Sequence, residues 1–363
     1  MDLGQCIGEF ALEGSVTGIK EYGSGHINAT YLVETELKGI QKKYIFQRIN
    51  TDIFQNVDHL MENITNVTSY LGKRIARRGG DASRETLTVI PTKDGGSYYR
   101  GSQGCFRMYQ FISDASCFDA VDKPEDFYES AVAFGNFQAD LSEFPAETLH
   151  ETIPDFHNTG KRFETFCKVR KEDPLGRAAL AGPEIAFVME RESQMRVLSD
   201  LLKNGELPLR VTHNDTKLNN IMMDNKTGKG ICVIDLDTVM PGLSLYDFGD
   251  AIRFGANTGA EDETDLSKVS LDLGLFECYT KGYLKGCQGS LTETECRMLP
   301  MGAKIMTLEC GMRFLTDYLA GDVYFKIHRK NHNLDRCRSQ FALVADMEKN
   351  WPKMEAIVQK YMV

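Results

Sequence analysis

The sequence predicts an α+β fold built as two lobes, and three observations carry that expectation. Residues 15–50 and 87–112 run as short apolar or alternating segments broken by Gly-containing turns, the pattern of strands. One stretch between them, and most of the chain after Ser113, repeats its apolar positions every three or four residues, the pattern of helices. At 363 residues the chain is too long for one small core, and no internal repeat, low-complexity tract or long Pro/Ser linker interrupts it.

Taken in order, residues 15–22 lead as a strand into Gly23-Ser24-Gly25, and residues 29–34 and 43–49 follow as strands. From Ile53 to about Ala76, Phe54, Val57, Leu60, Met61, Ile64, Val67 and Leu71 fall on one side of a helix. Strands are expected at 87–90, 97–100 and 106–112, the first two joined by a Lys93-Asp94-Gly95-Gly96 turn. Pro124 opens a helix carrying Phe127, Ala131, Phe134 and Leu141, and residues 184–202 form another. Short strands at 209–212 and 231–234 come next, and residues 245–363 are mainly helical. The expected domains are a sheet lobe over 1–112 and a helical lobe over 113–363, with a cleft between them.

Composition narrows the function. Apolar residues make up 42% and charged residues 26%, ordinary values for a globular chain. The net charge of -10 disfavours a phosphate backbone, so no nucleic-acid partner is expected. No run of about 18 apolar residues exists, so no membrane span is expected. Residues 1–20 carry Asp2, Glu9 and Glu13 and lack a basic segment followed by an apolar one, so no secretion leader is expected. The ten cysteines are scattered singly, without metal-ligand spacing, which fits free thiols in a reducing cytoplasm.

Three features, in order, carry chemistry. Gly23-Ser24-Gly25-His26-Ile27-Asn28-Ala29-Thr30-Tyr31 lies between two strands. Glycines let a hairpin backbone lie close over phosphates and point N–H groups at them, so Gly23, Ser24, Gly25, Asn28 and Thr30 are candidate nucleotide contacts. The segment does not open a helix with G-x-G-x-x-G, and no GxxxxGK[ST] loop occurs, which sets aside the dinucleotide and P-loop readings. His213-Asn214-Asp215 with Asn220 has the H-x-D-x-x-x-x-N spacing of a kinase catalytic loop. A hydroxyl attacking a phosphoryl group must lose its proton, and a carboxylate at hydrogen-bond distance takes it and aims the oxygen. Asp215 is the candidate base, and Asn220 offers an amide oxygen to Mg2+. Ile231-Cys232-Val233-Ile234-Asp235-Leu236-Asp237 is an apolar run ending in two acids. Asp235 and Asp237 at a strand end can hold Mg2+ bridging the β- and γ-phosphates, and along a strand they point the same way.

This order and spacing resemble the aminoglycoside phosphotransferase and choline kinase group, which has the protein-kinase-like fold. The resemblance covers nearly the whole chain: Tyr22-Gly23-Ser24-Gly25-His26-Ile27-Asn28, Phe46-Gln47-Arg48-Ile49-Asn50, the His213–Asn220 loop, Ile234-Asp235-Leu236-Asp237-Thr238-Val239-Met240-Pro241-Gly242, and Gly311-Met312-Arg313-Phe314-Leu315-Thr316-Asp317-Tyr318-Leu319. The flanking text narrows it toward the N-acetylhexosamine 1-kinases. The resemblance implies ATP and Mg2+ as cofactors, Asp215 as base, Asn220 and Asp235 on the metal, and Asp237 as a second carboxylate. It implies a basic residue on the third strand paired with an acid on the following helix. Arg48 holds that place instead of the usual Lys, and Glu62 is the best helix partner. Adenine would rest against Gln110-Phe111-Ile112, while His26, Arg313 and Tyr324 would reach the sugar beside Asp215. The product would be a GlcNAc or GalNAc 1-phosphate.

Asp247-Phe248-Gly249 spells the metal motif of protein kinases, but it follows a loop and runs into Asp250-Ala251-Ile252-Arg253, a helix start. It is read as a helix cap or a brace for the catalytic loop. No APE-like segment or activation loop follows, so no protein substrate is expected. His213 is read as a bracing residue and Trp351 as packing. Two rival functions stand beside the sugar kinase. One is a kinase of another alcohol (aminoglycoside, choline, homoserine or a different sugar). The other is a nucleotide-binding pseudokinase, which would lack the catalytic residues that Asp215, Asn220 and Asp235 supply here.

Overall fold

The computed structural model describes residues 3–23, 27–118, 120–121 and 123–362. In chain order these form α1 (Leu3–Ile7), β1 (Ser15–Glu21), β2 (Ala29–Leu37), β3 (Ile40–Ile49), α2 (Val57–Arg77), α3 (Ala82–Glu85), β4 (Tyr99–Gly101), β5 (Gly104–Gln110), β6 (Ala115–Ser116) and α4 (Pro124–Asp140). They continue with α5 (Thr159–Glu172), α6 (Gly182–Met189), α7 (Val197–Lys203), β7 (Arg210–Thr212), β8 (Ile221–Asp224), β9 (Gly230–Val233) and β10 (Met240–Gly242). The last helices are α8 (Ser244–Gly255), α9 (Leu273–Cys287), α10 (Glu293–Ala320), α11 (His332–Lys349) and α12 (Trp351–Tyr361). Two compact units result: Met1–Cys117 with Glu143–Pro154 and Ile221–Met240, and Phe118–Ser142 with Asp155–Asn220 and Pro241–Val363. A single cut after residue 112 differs from this division, because 143–154 and 221–240 return to the first unit.

The first unit is built on an antiparallel sheet in the order β1-β2-β3-β5-β4. Alternation sorts its side chains onto two faces. Tyr44, Phe46, Phe106 and Met108 share one face and pack with Cys6, Ile7 and Phe10, so α1 and the segment after it cover that side. Gln47 on β3 and Arg107 on β5 have the opposite parity and stand directly across from each other on the second face. The strand expected at 87–90 is reduced to one bridge, Val89 to Tyr109, flanked by the bonds from Ile90 N–H to Met108 O (2.8 Å) and from Gln110 N–H to Thr88 O (2.9 Å), and beyond it the Thr92 N–H turns to Gly96 O. Buried Asn63 on α2 ties in the two returning segments. Its amide donates to the carbonyls of His150 (2.8 Å) and Val239 (3.0 Å), and its oxygen accepts the His150 N–H (2.9 Å).

The second unit is helical around α10, which opens on a capping box between Thr292 and Glu295. Leu308, Met312, Leu315 and Leu319 of α10 pack with Phe163 and Phe166 of α5, Val188 of α6 and Leu334, Phe341 and Val344 of α11. Glycines set the closest helix approaches. A Cβ on Gly249 of α8 would lie 2.4 Å from the Gly302 carbonyl of α10, and one on Gly135 of α4 would lie 2.4 Å from the Tyr283 carbonyl of α9. The single helix expected over 184–202 is broken into α6, a 3-10 turn at Glu192–Gln194, and α7. Residues 190–194 are all polar and offer no face to bury, and Arg191 turns its guanidinium to Glu348 instead. Among the described residues, no helix is long and apolar enough to cross a membrane.

Candidate active site

The His213–Asn220 loop belongs to the second unit and leaves β7. Its backbone is held by two buried acids of α8. Asp247 accepts the N–H groups of His213 (3.0 Å) and Asn214 (2.8 Å) and the Gln138 amide (2.9 Å). Asp250 accepts the Thr216 N–H (3.1 Å) and pairs with Arg253 (2.8 Å). These bonds hold Asn214 in a left-handed conformation, φ 65. The His213 ring is fully buried against the edges of Phe134 and Phe137. Asp247 of the Asp-Phe-Gly segment therefore braces the His213–Asn220 loop, and Gly249 serves the α8–α10 contact. Burial raises the Asp247 pKa above the usual carboxylate value, with His213 and the accepted N–H bonds opposing it.

At the end of the loop Asp215 is half-buried with both carboxylate oxygens engaged. Asn220 Nδ2 donates to its Oδ2 (3.0 Å) and to its carbonyl (2.8 Å), and Lys217 Nζ lies 2.7 Å from its Oδ1. Donation through Nδ2 leaves the Asn220 amide oxygen as the acceptor, the atom a hard cation needs. Lys217 was not singled out from the sequence, although a lysine two residues past the candidate base was the available signal. Burial alone would lower its pKa, but the Asp215 and then the Asp250 carboxylates outweigh it and raise the value.

The acidic segment lies in the first unit, and its geometry differs from the expected extended strand end. β9 stops at Val233, Asp235 adopts a left-handed backbone (φ 57, ψ 57), and Leu236–Thr238 form a 3-10 turn. The alternation that would aim Asp235 and Asp237 together does not apply. Asp235 is exposed, whereas Asp237 is buried with both oxygens engaged. Its Oδ2 accepts Asn28 Nδ2 (2.6 Å), and its Oδ1 lies 2.5 Å from Arg107 Nη1. Arg107 Nε donates to Gln47 Oε1 (2.9 Å), and Gln47 Nε2 donates to Thr30 Oγ1 (3.0 Å).

The third-strand pair expected at Arg48 and Glu62 does not form. Arg48 is exposed on the Phe106 side of the sheet, beside Gly104. Glu62 pairs with His150 (2.9 Å). A shift of one residue along a strand reverses the face, and the buried cation of the opposite face comes from β5 as Arg107.

Among the other nucleotide candidates, Gly23 has a positive φ of 80 that favours glycine. The Asn28 oxygen accepts the Asn50 N–H (2.9 Å). Of the residues expected against adenine, Gln110 donates its backbone N–H to Thr88 O (2.9 Å), Phe111 donates its own to Lys43 O (3.1 Å), and Ile112 is buried. Ser24, Gly25 and His26 lie outside the described residues. In the second unit Arg313 sits among Phe156, Tyr324 and Phe325, at 5.5–5.9 Å from their ring centres. Tyr324 is 68% exposed, and the carboxylate of Asp317 accepts the N–H groups of residues 323–325. One turn before Arg313, buried Glu309 is held by His157 (2.9 Å) and Thr159 (2.5 Å).

A family model described as phosphotransferase enzyme family matches residues 18–269. Similar solved structures include a microcompartment-associated aminopropanol kinase, 17% identical with a TM-score of 0.61, over 97% of this chain and 98% of that one. Another is an aminoglycoside phosphotransferase from Alicyclobacillus acidocaldarius, 12% identical with a TM-score of 0.63, over 99% and 96%. A choline kinase from Cryptosporidium parvum is 14% identical with a TM-score of 0.59, over 98% and 96%. The α+β protein-kinase-like fold expected from the sequence is the fold these likenesses show, with an antiparallel sheet early in the chain and helices after it.

Proposed function

We propose a substrate and a mechanism on the premise that this chain belongs to the phosphotransferase enzyme family: it transfers the γ-phosphate of ATP to the anomeric 1-hydroxyl of an N-acetylhexosamine, GlcNAc or GalNAc. The observation that carries the reading is the Asp215 loop, a half-buried carboxylate oriented by Lys217 and Asn220 on a backbone pinned by Asp247 and Asp250. Asp215 accepts the proton of the attacking hydroxyl and aims its oxygen. The C1–O bond stays intact, so the anomer bound is the anomer released.

Mg2+ supplies charge neutralisation on the phosphates when bound. It needs only one or two protein oxygens beside phosphates and water, and the donor types of Asn220 and exposed Asp235 fit that demand. Asp237, with both oxygens engaged by Asn28 and Arg107, fits an anchoring role better than a ligand role. Gly23, Ser24, Gly25, Asn28 and Thr30 cover the phosphates, exposed Arg48 is a candidate phosphate contact, and adenine rests against residues 110–112. His26, Arg313 and Tyr324 bind the sugar. A neutral acceptor suits the surroundings of Arg313, because Arg162 brings a second guanidinium there and buried Glu309 is already held by His157 and Thr159. Burial first, and the Arg313 charge next, lower the Arg162 pKa, while Glu309 offsets part of the two positive charges, so the surroundings offer an ammonium group little net attraction. Ten unbridged cysteines suit the cytoplasm.

Phosphorus NMR of products from ATP and a panel of free sugars and amino alcohols tests the reading. A sugar 1-phosphate from GlcNAc or GalNAc, absent with Asp215→Asn, is the expected result. Turnover confined to a cationic alcohol refutes the substrate, and near-normal turnover by Asp215→Asn refutes the base.

A further inference from the structure

The two arginines of the sheet divide the work differently from what strand position suggests. Arg48 is exposed, whereas Arg107 is 1% exposed, with its charge turned to Asp237. A side chain that buried does not reach a nucleotide, so its charge acts on protein. Its target follows a residue with left-handed backbone, Asp235. Asp235 occupies the left-handed region (φ 57), which Asp and Asn visit more readily than other L-residues but only as single residues. Two residues on, Asp237 is gripped by Arg107 and by Asn28 from the glycine-rich hairpin.

We infer that Arg107 is a positioning residue for the metal ligand: fixed on β5 by Gln47, it anchors Asp237 and thereby holds Asp235 in its left-handed conformation. The inference rests on the proposed ATP- and Mg2+-dependent function. Two further observations support it. Arg107 Nη1 and Asp237 Oδ1 have no aligned hydrogen-bond partner despite their 2.5 Å contact, so the tie is electrostatic and depends on the charge. The contact is also keyed to the hairpin, since the Asn28 oxygen accepts the Asn50 N–H at the end of β3 (2.9 Å).

Titration calorimetry of ADP with Mg2+ and with EDTA, on the full chain and on Arg107→Met and Arg107→Lys, tests the inference. In Arg107→Met the Mg2+ concentration needed for half-maximal strengthening of ADP binding rises about 10–100-fold, the range for losing a partner behind a metal ligand. ADP affinity in EDTA stays within about twofold, a separation that general collapse of the sheet would not give. Arg107→Lys keeps the charge but not the two-pronged reach, so it restores part of the Mg2+ response. If Arg107→Met does not fold, a Mg2+ requirement raised at least threefold in Arg107→Lys carries the inference, and an unchanged one overturns it. An unchanged Mg2+ response in a folded Arg107→Met, or an equal loss with Mg2+ and EDTA, overturns it as well. A wild-type chain whose ADP binding ignores Mg2+ overturns the functional reading, and with it this inference.

Discussion

Replacing Asp247 by Asn separates a brace from a metal ligand. Oδ2 of Asp247 accepts from His213 N–H and Gln138, and Oδ1 accepts from Asn214 N–H. A carboxamide has one acceptor oxygen. Placed at the Oδ2 position, it keeps two bonds and sets its own NH2 against the Asn214 N–H. The alternative keeps one bond and opposes two donors, so the first is favoured. The loss is one charge-assisted hydrogen bond, about 1.5–3 kcal/mol, and one stranded buried N–H, about 1–3 kcal/mol. Removing the charge offsets part of this, because burial already disfavours the ionised Asp247. The net penalty on the loop is about 2–4 kcal/mol, or about 30- to 900-fold in kcat at 1.36 kcal/mol per decade. An ADP-release assay at saturating acceptor across a Mg2+ titration, with thermal unfolding alongside, reads it. The expected outcome is a fall of that size in kcat, a lower Tm and an unchanged Mg2+ requirement. A kcat within threefold of wild type, or one restored by excess Mg2+ or Mn2+, refutes the brace and returns Asp247 to the metal.

Two further outcomes follow from packing and charge. Gly249→Ala places a Cβ 2.4 Å from the Gly302 carbonyl and 2.6 Å from Met306 Cγ, so stability falls by at least about 1–3 kcal/mol, and an unchanged denaturation midpoint contradicts the close α8–α10 approach. The Asp224 carboxyl is held down to about 2, first by the Thr227 N–H and hydroxyl and then by Arg84, against an ordinary value of 3.8. A depressed folded-state pKa stabilises above the unfolded value and loses that contribution as pH falls through the folded one. Asp224→Ala is therefore less stable than wild type near neutral pH and converges on it as pH drops from about 4 to about 2. A stability gap that ignores pH contradicts the assignment.

What could be read from the sequence was what depends on neighbours in the chain. The catalytic loop is eight consecutive residues, and spacing alone puts Asp215 and Asn220 within reach of each other. The Asp-Phe-Gly segment could be set aside because helix-forming text follows it directly. Arg107 was missed because its role depends on pairing between strands. Nothing in Gly104–Gln110 shows that Arg107 meets Gln47 and the face of Thr30 until the β3–β5 register is known. Arg48 was favoured for lying on β3, although its parity matches Phe46, whose ring is in the core under α1. Asp235 and Asp237 read as a strand end because the apolar run before them is a strand. The positive φ at Asp235 comes from anchors 28 and 107 residues into the chain, and no local pattern announces it.

The two groups proposed to do chemistry are held by one physical device used with opposite sign. Asp215 follows a left-handed Asn214, and Asp235 is itself left-handed. Asn and Asp are the L-residues that visit this region most readily, so the anchors select a conformation that local preference permits. Beside Asn214 the constraint is a buried anion, Asp247, drawing in backbone N–H groups from α8. Beside Asp235 it is a buried cation, Arg107, drawing in the carboxylate of Asp237 from β5. A buried charge is suited to this because losing its partner leaves an uncompensated ion. The two anchors belong to different units. Loss of Asp247 acts on the turnover of bound substrate, and loss of Arg107 acts on the Mg2+ dependence of nucleotide binding. At saturating Mg2+, turnover falls with loss of Asp247 and recovers with loss of Arg107, and the reverse would break the assignment of one anchor to each group.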